Sequence, residues 1–210
     1  MTETDVEPEA EAADDAGARR NPPLAVPLLA AVILAIASAF LGGAVVSWWD
    51  DNPRPGAVDI GFYDDMTVHH QQAIQMARIY QQNGEDADMI SRANEIDFDQ
   101  AGDIRVMQNA LVEWGETGSP DVAMEWMGES TLPDEMPGLA TPEEIAALEQ
   151  ASGLELDDQF TRLMINHHAG GIHVAEFAAE SAKLGDVRDF AGQMAANQQR
   201  EIEELNNART

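Results

Sequence analysis

Two stretches of this chain, 98 positions apart, carry the same side chains at the same helical spacing. Phe62, Met66, His69, His70, Ile74 and Ala77 recur as Phe160, Met164, His167, His168, Ile172 and Ala175. The alignment continues without a net shift. Ala93, Gln100 and Ile104 fall on Ala191, Gln198 and Ile202, Asp103 falls on Glu201, and Met107 falls on Leu205. Spacings of three and four put the shared positions of each copy on one helical face. A duplicated helix pair is expected to bury that face against its own copy, which predicts an all-α domain: a four-helix bundle of two repeated hairpins.

Turn residues and periodicity set the expected boundaries. Helices are predicted over 62–82, stopped by Asn83-Gly84, and over 89–114, stopped by Gly115. The segment 116–140 holds Gly118-Ser119-Pro120, Pro133 and Pro137-Gly138 and reads as a long crossover. Thr141-Pro142-Glu143-Glu144 is a capping box with proline at the first helical position, opening a short helix within 141–153. Asp157 is expected to cap the next helix, over 160–183, and a last helix covers 186–207. The bundle thus spans 59–207, with repeat one at 59–115 and repeat two at 157–207.

Ahead of the bundle, residues 1–20 are acidic and Ala-rich with little to bury, the composition of a disordered tail. The run 24–46 carries no charge and is long enough to cross a bilayer, so 21–49 is expected to be a transmembrane anchor. Arg19 and Arg20 before it, with Trp48, Trp49, Asp50 and Asp51 after it, put the N-terminus in the cytoplasm and the bundle outside. Ala37-Ser38-Ala39 offers a second reading, a cleaved signal peptide and a secreted protein. Residues 50–58 then form a linker. With 39 acidic against 11 basic residues, a net charge of −28 opposes binding to nucleic acid. The chain has no cysteine, so thiolate metal sites and disulfides are excluded and any soft ligand is methionine.

The repeat carries donors for a metal. Met66 lies one turn from His69 and His70, and Met164 one turn from His167 and His168, so thioether and imidazole share a face in each copy. Met76 lies further along the first helix. Adjacent residues diverge by about 100°, so one histidine of each pair faces the axis and the other a neighbouring helix. Imidazole suits several transition metals, zinc and iron among them, and thioether tilts the preference to copper as Cu(I). Asp103 and Glu201, with Gln100 and Gln198, are placed to orient imidazole N–H groups. His173, whose counterpart is Gln75, is a further candidate ligand, and Met124 and Met127 with Met136 form either a second thioether group or plain hydrophobic cover. Because only neutral imidazole binds, affinity is expected to fall as pH drops through about 6.5.

Phe-x3-Met-x2-His-His-x2-Ala-x2-Met-Ala at 62–77, its copy at 160–175, Met136-Pro137-Gly138-Leu139, and Gln-x-x-acid-Ile at Gln100 and Gln198 resemble the bacterial family called domain of unknown function 305. The resemblance covers roughly 59–207. It implies a ferritin-like fold and copper binding through these histidines and methionines, as in exported members connected with copper resistance. Val174 stands where Met76 stands in copy one, and Gly170-Gly171 is expected to loosen the second helix, which would weaken the second half.

Three functions compete. The first is a membrane-anchored extracytoplasmic protein that binds, buffers or relays copper without turning over a substrate. The second is an interaction module or accessory subunit of a membrane complex, its histidines structural. The third is a dinuclear metal oxidase, which needs more interior carboxylates than Asp103 and Glu201 supply.

Overall fold

The computed structural model describes residues 53–116 and 121–208. The acidic tail, the apolar run 24–46 and the Gly118-Ser119-Pro120 turn lie outside them. Among the described residues the architecture is all-helical, with one isolated bridge between Ala123 and Thr131, and no helix is long and apolar enough to cross a membrane.

Helix α1 (Ala57–Asn83) and helix α2 (Ala87–Trp114) form the first hairpin; α4 (Leu154–Ser181) and α5 (Gly185–Ala208) form the second, with the short α3 (Pro142–Gln150) before it. Each boundary has a local cause. Asp86 caps α2 by accepting from Met89 N at 2.9 Å, and Gly115, at φ 81°, closes it with left-handed geometry. Thr141 and Glu144 exchange side-chain and backbone hydrogen bonds at the start of α3. Asp157 is not a cap: Gly153 precedes α4, and Asp157 sits inside its first turn, taking the Tyr80 hydroxyl of the first hairpin. Nor is α4 loosened at Gly170-Gly171, since it continues as one helix through both.

The hairpins meet chiefly through α1 and α4, which run antiparallel, and α2 and α5 flank them. Two apolar clusters result. One joins the C-terminal half of α1 to the N-terminal half of α4 through Met76, Ala77, Tyr80, Phe160, Leu163 and Met164. The other joins the N-terminal half of α1 to the C-terminal half of α4 through Phe62, Met66, Val174, Ala175 and Ala178. Phe62, Phe160 and Tyr80 are fully buried, each ring worth about 1.5–3 kcal/mol of transfer energy. Between the clusters lie His69, His70, His167 and His168, none more than 1 % exposed.

The crossover is tied to α1 at three points. Asp65 accepts from Met124 N and Trp126 Nε1, both at 2.7 Å, and Gly61 leaves room for the Trp126 ring, which an added Cβ would meet at 2.2 Å. Gln72 exchanges two hydrogen bonds with the backbone of Ala140. Pro137 O lies over the histidine layer, as described below.

Candidate metal centre

The histidine pairs divide their directions as helical geometry requires. His69 and His167 face each other across the α1–α4 interface with ring centroids 3.9 Å apart. His70 turns to α2, its Nε2 at 3.4 Å from Asp103 Oδ2, and His168 turns to α5, its Nε2 at 2.6 Å from Glu201 Oε2. His69 Nε2 donates to Pro137 O at 3.0 Å, and His167 Nε2 donates to the backbone oxygen of His69 at 2.9 Å.

All four acceptors are oxygens without a proton to give, so each Nε2 carries the hydrogen. Every Nδ1 atom is then left over: His69, His70, His167 and His168 each bury an Nδ1 with no partner. Among the described residues, the other buried side-chain atoms in this condition are both amide atoms of Gln100 and both of Gln198. The unsatisfied atoms therefore belong to three repeat-related pairs of residues. A buried polar atom without a partner costs about 1–3 kcal/mol, which makes such a concentration a feature to be explained.

Burial sets the charge state of the central pair. Desolvation, helped by the neighbouring His70 and partly opposed by the bond to Pro137, pushes His69 down to about 3. His167 is likewise driven well below the ordinary histidine value, first by burial and then by His69 and His168. Both rings are neutral at pH 7 with a buried, unpartnered Nδ1 lone pair. The fall in metal affinity expected near pH 6.5 is therefore not set by these two rings, which resist protonation to much lower pH.

Other candidates are dispersed. Met66 and Met164 are fully buried but lie in opposite apolar clusters, one on each side of the histidine layer, and Met76 shares the cluster of Met164. Met124 and Met136 are buried in the cluster of Met66, with Met127 packed against it, as hydrophobic cover. His173 is exposed on α4, away from the buried four. Asp103 is partly exposed and Glu201 buried. A cleft of about 130 Å³ between α2 and α5, lined by Glu95, Asp99 and Glu204 among others, reaches Glu201. Among the described residues, no three His, Asp or Glu side chains form a group that could hold a metal ion by themselves.

Sequence reasoning passed over Asp65 and Gln72, polar residues on a helix face that read as neutral spacing until the crossover is seen against them. The segment Met136-Pro137-Gly138-Leu139, part of the family resemblance, takes its role from packing. Gly138, at φ 85°, and Gly170 let this segment lie directly on α4: a Cβ on Gly170 would stand 2.0 Å from Pro137 O. That contact brings the Pro137 carbonyl to His69.

Solved structures share this fold. A DUF305 protein from Streptomyces coelicolor superposes with a TM-score of 0.67 at 33% identity, covering 72% of this chain and 91% of that one. A DUF305 fragment from Deinococcus radiodurans gives 0.65 at 25% identity, covering 74% and 97%. CopM in its Cu(I)-bound form gives 0.56 at 25% identity, covering 71% and 93%. No curated protein matches the chain. The profile of the domain of unknown function DUF305 matches residues 59–209, and the chain belongs to that family.

Proposed function

We propose that this protein binds copper outside the cytoplasmic membrane, tethered by residues 24–46, and buffers or relays the ion rather than turning over a substrate. One observation carries the reading: four buried imidazoles each have Nε2 held by an oxygen and Nδ1 left free. Metal-ligating histidines are held in this way, the outer N–H on a carbonyl or carboxylate and the inner nitrogen on the ion. The donor set fits copper. Thioether beside imidazole favours Cu(I) over zinc. The Cu(I)-bound state of CopM supports the choice of ion, and the Streptomyces coelicolor protein, described as a secreted one, supports the location. The donors available to copper are the Nδ1 atoms of His69, His70, His167 and His168 and the thioethers of Met66 and Met164, one thioether on each side of the histidine layer, and the ion's role there is that of cargo.

The test is metal analysis of the full chain purified without chelators or histidine tags, followed by competition against a chromophoric Cu(I) chelator. Replacing all four histidines by alanine should lower Cu(I) affinity by more than about a hundredfold. Unchanged affinity in a variant that keeps its helical circular dichroism would remove copper from these residues. Bound iron would favour the oxidase reading, and absence of any metal the interaction module. Retention in membranes after carbonate washing tests the anchor.

A further inference from the structure

The copper reading leaves Gln100 and Gln198 unexplained. Each is 2 % exposed and each buries a complete carboxamide with neither its oxygen nor its nitrogen bonded. A glutamine kept in an apolar core for packing alone would forfeit hydrogen bonds that leucine never needs. The two occupy the same position in the repeat, so the cause is shared.

Their position follows from the hairpin register. Glu201 of α5 touches His168 of α4. One turn along, Gln198 meets Gly171, where an added Cβ would stand 2.4 Å from Gln198 Oε1. Gly171 is three and four residues past His168 and His167, on their face of α4. The carboxamide therefore packs against the histidine-bearing face of α4, one turn past the His167–His168 pair. In the first copy Gln100 stands where Gln198 stands in the second, three residues before Asp103, which meets His70. Each copy of the repeat thus buries the thioether of its Met-x-x-His-His unit, one unpartnered carboxamide and two unpartnered imidazole Nδ1 atoms.

We infer that Gln198 and Gln100 are metal-site residues, each supplying its carboxamide oxygen as a donor to a copper ion held by the histidine Nδ1 atoms, and that this donor serves Cu(II). The inference rests on the copper reading. Oxygen is a hard donor that suits Cu(II) with imidazole, whereas thioether suits Cu(I), so each copy of the repeat carries a donor for either oxidation state.

The experiment uses the full chain with Cu(II) and, separately, Cu(I), each titrated against a competing chelator, with electron paramagnetic resonance of the Cu(II) form. Gln198→Leu combined with Gln100→Leu should lower Cu(II) affinity about tenfold or more and change the parallel hyperfine splitting, while Cu(I) affinity stays within about twofold. Gln198→Glu with Gln100→Glu keeps an oxygen donor and should hold Cu(II) affinity at or above that of the parent. A residue that acted by donating its amide N–H, or by packing, would not be rescued by glutamate. Equal Cu(II) affinity and an unchanged spectrum in the folded leucine variant would overturn the inference, as would a glutamate variant as weak as the leucine one. If the leucine variant loses helicity, the glutamate variant decides alone, a tenfold loss counting against. Should the histidine variants also bind copper normally, the copper reading fails; if they lose it while both glutamine variants match the parent, only this inference fails.

Discussion

His167 donates its Nε2–H to the backbone oxygen of His69, its own counterpart 98 residues earlier, and the two rings lie 3.9 Å apart. The bond has no mirror image. His69 donates instead to Pro137, because the single crossover reaches the layer from one side and Gly138 lies against the His167 carbonyl, which an added Cβ would meet at 2.9 Å. A duplicated sequence thus yields two equivalent helices with unequal partners.

Acid should destabilise the metal-free bundle through its two central histidines. His69 and His167 have folded pKa values below their unfolded value of about 6.5, so the unfolded state binds more protons as pH falls. Stability is full above that value and declines below it, by at most roughly 2.7 kcal/mol per pH unit for the two rings. Asp64, raised to about 6 first by burial and then by Asp65 and Glu116, acts in the opposite sense below pH 6. Urea midpoints between pH 7.5 and 5 should fall, and His167→Phe should remove part of the slope; an identical slope would refute the assignment.

Two glycine substitutions should have opposite signs. Gly170→Ala drives a Cβ into the backbone of Pro137 and Gly138 and should cost about 1–3 kcal/mol or more. Gly102→Ala in α2 meets nothing closer than the Arg105 guanidinium at 3.7 Å and should gain about 0.5–1 kcal/mol. Denaturant midpoints of the pair check this.

The carboxylates on the outer histidines should be unequal. Glu201 is buried and bonds His168 at 2.6 Å, while Asp103 is 28% exposed and stands 3.4 Å from His70. Glu201→Gln should therefore lower copper affinity by about tenfold or more, and Asp103→Asn by clearly less. Equal losses measured by chelator competition would contradict the geometry.

Asp59 holds the start of α1 and the turn of the other hairpin at once, accepting from Gly56 N at 2.7 Å and Leu184 N at 2.8 Å while fully buried. Asp59→Ala strands these donors and should cost about 1–3 kcal/mol, with Asp59→Asn costing less because one acceptor oxygen remains. A thermal melt within error of the parent would show that water replaces the carboxylate.

The helices, the duplication and the inward face of the Met-x-x-His-His unit were legible in the sequence, because apolar periodicity and capping residues act within a few turns of one helix. The pairing of hairpins was legible too, since identical faces at one offset imply burial against each other. Tertiary structure decided the rest. That Met66 and Met164 fall on opposite sides of the histidine layer follows from the antiparallel crossing of α1 and α4, which no spacing within one helix encodes. That Gly170 and Gly171 admit a loop and a glutamine, rather than weaken a helix, depends on what approaches them from outside. Asp157 reads locally as a cap and instead binds Tyr80, a contact 77 residues distant in sequence. Local pattern fixes which side chains a helix turns inward; only the packing of helices fixes which of them meet, and so which nitrogen of each histidine is left for a ligand.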